Sequence, residues 1–169
     1  MNTQSENMIL EFIHYNNWAN QQVLAACQNL SDDQLATGMP GAYGTIRDTL
    51  EHILRAEAGY VRLLTGVRPL PAFKWEDRPD LAALTEYAAQ VGEALVDTAQ
   101  RIQPTAVVYD EWDGKPMQYQ ALAIFIQIID HGIEHRTNIT TILNQGLYPP
   151  PDVDGWSYLI AQPDRFDKR

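Results

Sequence analysis

Apolar residues recur every three to four positions along four long stretches of this chain, and each stretch predicts an amphipathic helix. The first runs from Asn7 to Asn29, with Ile9, Phe12, Trp18, Val23, Ala26 and Leu30 on its apolar side. The second, Thr45 to Leu64, carries Ile46, Leu50, Ile53, Leu54, Ala58 and Val61. It opens on Thr45-Ile-Arg-Asp48, a capping box in which a threonine hydroxyl and an acidic side chain satisfy the free backbone N–H groups of the first turn, and Gly66 ends it. The third, Asp80 to Ile102, places Leu81, Leu84, Val91, Leu95 and Ile102 on one side before Pro104 stops it. The fourth, Gln118 to Gln145, has Ile124, Ile128, Ile139 and Ile142 in common rows, and Gly146 and the Pro149-Pro150-Pro151 run terminate it. At about 1.5 Å per residue this last helix spans roughly 40 Å.

The connections are equally legible. Ser31-Asp-Asp-Gln34 is a second capping box and predicts a short helical turn, followed by a loop marked by Gly38, Pro40, Gly41 and Gly44. The segment Arg68 to Pro79, broken by Pro69, Pro71 and Pro79, is long enough to cross the end of a bundle, so the second and third helices need not be antiparallel neighbours. Between Thr105 and Tyr119 the pattern changes: Val107-Val108-Tyr109 favours a strand and Asp113-Gly114 a hairpin turn, with Met117 and Tyr119 returning. A small β-hairpin is expected there, a plain loop being the alternative. The tail, Pro149 to Arg169, holds one short helix at Trp156 to Gln162, which packs across the bundle or joins a subunit contact. The fold class that follows is all-α: a four-helix bundle over residues 1–169, taken as one domain, with a long crossover between helices two and three and a hairpin before helix four.

Charge and composition narrow the function. The 169 residues carry a formal net charge of −10, and no basic cluster interrupts the acidity, which argues against nucleic acid as a partner. No apolar run reaches the roughly 20 residues of a membrane span, so no membrane partner is expected. The start, Met1 to Asn7, is polar and lacks the charged-then-apolar order of a signal peptide. The single cysteine, Cys27, cannot form an internal disulfide. It falls on an apolar helical face with no basic residue near it in sequence to acidify it, so it reads as core and not as a nucleophile. These features point to a cytoplasmic protein acting on a small molecule.

The chemistry concentrates in helix four. His131 and His135 are four apart, so their rings leave the same apolar face one turn from each other. An unsatisfied buried polar group costs about 1–3 kcal/mol, so two imidazoles in an apolar stripe need partners. In one reading both are structural, hydrogen-bonded to carbonyls or to Asp130 or Glu134. In the other they are two ligands of one metal, and a third ligand is required. His52, beside Ile53 at the edge of helix two's apolar side, is the candidate. His14 lies in a mostly polar row (Asn17, Gln21) and reads as a rim residue.

The stretches Tyr15-Asn-Asn-Trp18-Ala-Asn20, Leu50-Glu-His52-Ile-Leu-Arg55, Tyr109-Asp-Glu-Trp-Asp-Gly114 and Asp130-His131-Gly-Ile-Glu-His135-Arg136, in this order and spacing, resemble the DinB-like family of four-helix bundles over nearly the whole chain. The resemblance implies a left-handed bundle with a long crossover, a homodimer, and a divalent metal on three histidines that map onto His52, His131 and His135. It also implies kinship with transferases and an isomerase that use low-molecular-weight thiols, so an enzyme of that kind is the functional expectation. A carrier or sensor without turnover and a metal-dependent hydrolase are the alternatives.

Three neutral imidazoles suit zinc or nickel first, with iron or manganese also within their range. A metal with an open position acidifies a bound water or thiol, which is what a thiol transferase requires. Asp48, Asp130 and Glu134 are candidates for orienting the rings. His131-Gly-Ile-Glu134-His135 also fits the inverted zinc-protease pattern H-x-x-E-H, with Glu134 as base. That reading needs a downstream acidic ligand, and only Asp152 or Asp154 in the proline-rich tail could serve.

Overall fold

The computed structural model describes residues 3–166, with side chains over 8–166. Met1 and Asn2 of the polar start, and residues 167–169 of the tail, lie outside the described residues.

Four long helices make the body: α1 (Thr3–Cys27), α3 (Ile46–Thr65), α4 (Leu81–Arg101) and α5 (Ala121–Gln145). A short α2 (Asp32–Leu35) sits between the first two, and α6 (Gly155–Ala161) and α7 (Pro163–Phe166) follow the last. Around the bundle, α1 and α3 each pack against both α4 and α5. Both predicted capping boxes are present, with Ser31 and Thr45 as caps, and Gly66 ends α3 in the left-handed region at φ 80°.

Helices α3 and α4 lie side by side and run in the same direction. Near their starts, Arg47 Nη1 on α3 donates to the Pro79 carbonyl at 2.8 Å; at their far ends, Val61 and Leu64 share a groove with Asp97 and Arg101. The crossover therefore runs back along the bundle. Phe73 and Trp75 pin it by packing on Tyr87, and the Arg55 guanidinium lies 4.7 Å from the centroid of Trp75.

The hairpin forms as expected. Strands β1 (Val107–Trp112) and β2 (Lys115–Gln120) are antiparallel, with Val107 opposite Gln120 and Trp112 opposite Lys115. Asp113 and Gly114 both have positive φ, 51° and 71°, the conformation a tight primed turn requires. Gln118 to Gln120, expected at the start of helix four, belong to β2, because the ladder with Val107–Tyr109 takes their backbone groups before the helix begins.

The core holds the apolar faces predicted for α3 and α5. The expected face of α1 holds in part: Val23 is in the core and Ile9, Ala26 and Leu30 pack against it. Phe12 is 49 % exposed, whereas Asn16 and Asn20 are buried alongside Ile13, Val23, Leu24 and Cys27. The tail packs across α1: the Tyr15 hydroxyl donates to the Val153 carbonyl at 2.8 Å and the Tyr158 hydroxyl to Glu11 at 2.7 Å.

Candidate metal centre

His52 projects from the second turn of α3, and His131 and His135 from the middle of α5, the helix it packs against. One ring nitrogen from each of the three lies within 4.8 Å of the others, and among the described residues this is the one cluster of three or more histidine, cysteine or acidic groups that could hold a metal ion. The Nε2 atoms of His52 and His131 are 2.9 Å apart. Both α5 histidines are buried; His52 is partly exposed.

Burial is the first cause that holds all three imidazoles in the neutral form. It lowers His131 to about 4, with His135, His52 and Arg136 adding repulsion. His52 is lowered by burial and then by His135, and His135 by burial against a small opposing pull from Glu134. Neutral imidazole is the form that offers a lone pair to a cation.

A satisfied core histidine has a hydrogen-bond partner on each ring nitrogen. Here the buried Nδ1 atoms of His131 and His135 bond neither to a carbonyl nor to a carboxylate, and Asp130 and Glu134, the side chains which that reading offered beside carbonyls, are exposed. Three imidazoles turned toward one another place lone pairs together, and a divalent cation is the group that such a donor set fits.

Tyrosines wall the cluster. The Tyr43 ring, on the loop before α3, stacks on His52 with centroids 3.9 Å apart and planes 20° apart, and meets His135 edge-on at 5.1 Å. Its backbone N–H donates to Asn138 Oδ1 at 3.2 Å, tying the loop to α5. Tyr60 meets His131 edge-on at 5.9 Å, and its hydroxyl accepts from Gln127. Neither tyrosine is marked by spacing; each reaches the site only once the loop and α3 are folded.

The other candidates are placed elsewhere. Asp48 closes the Thr45 capping box, accepting from the threonine hydroxyl at 2.7 Å. Asp154 caps α6 by accepting from the Ser157 N–H at 2.8 Å, and Asp152 is exposed, so the inverted-protease reading finds no acidic ligand in the cluster. His14 is partly buried on α1, apart from the cluster. Cys27 is fully buried, and burial pushes its thiol up to about 12, as a core residue requires.

A family model described as the DinB family matches residues 1–165. This chain belongs to the DinB family. Among curated proteins, the Protein DinB of Bacillus subtilis (strain 168) is 24% identical over 164 residues, covering 86% of this chain and 90% of that protein. Among solved structures, a DinB-like protein from Bacillus cereus ATCC 10987 matches with a TM-score of 0.66 at 20% identity, covering 86% of this chain and 95% of the other. The bundle described above is thus a DinB-like fold, and its three histidines sit within metal-binding distance of one another.

Proposed function

We propose that this DinB-family chain binds one divalent metal through His52, His131 and His135 and uses it as an enzyme acting on small molecules. The single observation that carries the reading is the trio of neutral imidazoles, from two neighbouring helices, whose ring nitrogens converge within 4.8 Å. Zinc or nickel suits the donor set first, and iron or manganese remain in its range. When bound, such a metal supplies Lewis acidity that acidifies a thiol or water at its open position.

The reaction class supported by the family resemblance is a transferase using a low-molecular-weight thiol as nucleophile. Within the chain, Tyr43 stacks on His52, Tyr60 meets His131 edge-on, and Asn138 holds the Tyr43 loop against α5. No helix among the described residues is long and apolar enough to cross a membrane, which is compatible with the cytoplasmic location this reading carries.

The test is elemental analysis of protein purified without an affinity tag, wild type beside His131→Ala. About one divalent metal per chain in the wild type, lost in the variant, is expected. Equal and near-zero metal in both, after incubation with zinc, nickel and manganese, would overturn the reading.

A further inference from the structure

Beside the histidine cluster lies a second polar group of a different kind. Arg136, the residue after His135, is 1 % exposed, and Glu57, five residues after His52, is likewise 1 % exposed. They do not touch as a direct ion pair. Arg136 Nη1 donates to Asn16 Oδ1 at 2.8 Å and Asn20 Oδ1 at 2.7 Å. The two asparagines in turn donate from Nδ2 to Glu57 Oε1, at 2.7 Å and 2.9 Å. The chain of bonds runs from α5 through α1 to α3, the two outer members being the helices that carry the histidines.

Stability alone does not account for this network. Replacing a buried charge pair by apolar side chains of similar size is often neutral or stabilising, and here the arrangement is not fully satisfied: Arg136 Nη2 is buried with no partner. Arg136 also borders a small, largely apolar void of about 10 Å³ lined by Leu24, Leu50 and Leu54 among others. The network also reaches the helix turn of His131. A Cβ on Gly132 would lie 2.5 Å from Asn16 Oδ1 and 2.6 Å from Arg136 Nη1, so the glycine beside one histidine is the space into which the arginine and asparagine are fitted. What directional bonds add to apolar packing is a geometric preference for one rotation and height of α5 against α3.

We propose that Arg136, acting through Asn16, Asn20 and Glu57, is the positioning residue of the histidine cluster, setting where His131 and His135 stand relative to His52. The inference rests on the metal-binding reading above. Close apolar packing restrains the helices on its own; the bonded bridge adds directional contacts that hold α5 against α3 through α1, and the three ring nitrogens converge in the register so held.

The test is titration of metal-stripped protein with cobalt(II), reading both affinity and the visible absorption spectrum, with circular dichroism to establish folding. In the double variant Glu57→Met/Arg136→Met, which removes both charges together, cooperative unfolding is retained, cobalt(II) affinity falls by about 10-fold or more, and the visible bands change in position or intensity. A folded double variant with unchanged affinity and a superimposable spectrum overturns the proposal while leaving metal binding intact. If the double variant does not fold, Asn20→Ala decides by the same two readouts: it removes one of the carbonyls holding Arg136 and leaves both charges, and a wild-type spectrum in it overturns the proposal. A wild type that takes up no cobalt overturns the metal reading and the positioning role with it.

Discussion

At the residue scale, burial decides the protonation of the histidines and thereby the pH range of the site. His131 is lowered from 6.5 to about 4, so it stays unprotonated well below the pH at which a free imidazole takes up a proton. Metal and proton compete for the same lone pair. Affinity should therefore be flat above pH 6.5 and fall only as the pH reaches the lowered values of the folded imidazoles. Because all three folded values are depressed, the half-loss is expected below 6.5, measurable by competition with a colorimetric chelator across pH 4 to 8. A midpoint at or above 6.5 would contradict the burial seen here. Tyr43 makes a separate prediction. Its ring covers His52, and nothing bonds to its hydroxyl among the described residues. Tyr43→Ala should release metal to a chelator severalfold faster, whereas Tyr43→Phe should match the wild type; equal rates in all three would show that the ring does not shield the site.

At the element scale, α5 carries the most information and the most constraint. A glycine inside a helix costs roughly 0.8–1.0 kcal/mol relative to alanine, so Gly→Ala is stabilising at an open position. At Gly132 the added methyl would meet Asn16 and Arg136 at 2.5 Å and 2.6 Å, and overpacking of a fitted core costs about 1–3 kcal/mol. The clash wins: Gly132→Ala should destabilise the protein in urea unfolding, and a gain in stability would show that the network yields freely. The expected face of α1 included Phe12 and missed two buried asparagines for a related reason. Periodicity counts apolar residues, and Asn16 and Asn20 are polar residues in core rows between Ile13 and Val23. Their burial is favourable only because Glu57 and Arg136 bond to them, and those partners come from helices 37 and 116 positions away along the chain.

At the scale of the whole molecule, the outer side of α1 and α5 stands out. Met8, Phe12, Leu122, Ile126 and Ile133 are all more than a third exposed, and they border a groove of about 570 Å³. An apolar face of this kind is unusual on a monomer surface, and it supports the homodimer that the family resemblance implies. Analytical ultracentrifugation should show a dimer for the wild type and a shift to monomer for Ile126→Lys, with the fold retained because Ile126 is 59 % exposed. A monomeric wild type would remove the dimer from the reading.

The sequence by itself determined the elements and the candidate ligands. Four apolar periodicities, two capping boxes, an Asp-Gly turn and an i, i+4 histidine pair are local patterns, and local patterns survive in a linear reading because backbone geometry repeats them. It also carried the family, through short motifs in a fixed order. Only the tertiary structure decided that His52 turns inward to meet His131, that Tyr43 lies over it, and that Arg136 is bridged to Glu57 through two asparagines. Each of these depends on the rotation of one helix against another, and that rotation is set by contacts between residues far apart in the chain. A polar side chain looks the same in sequence whether it is solvated or held in a core; its partners, brought together by folding, make the difference.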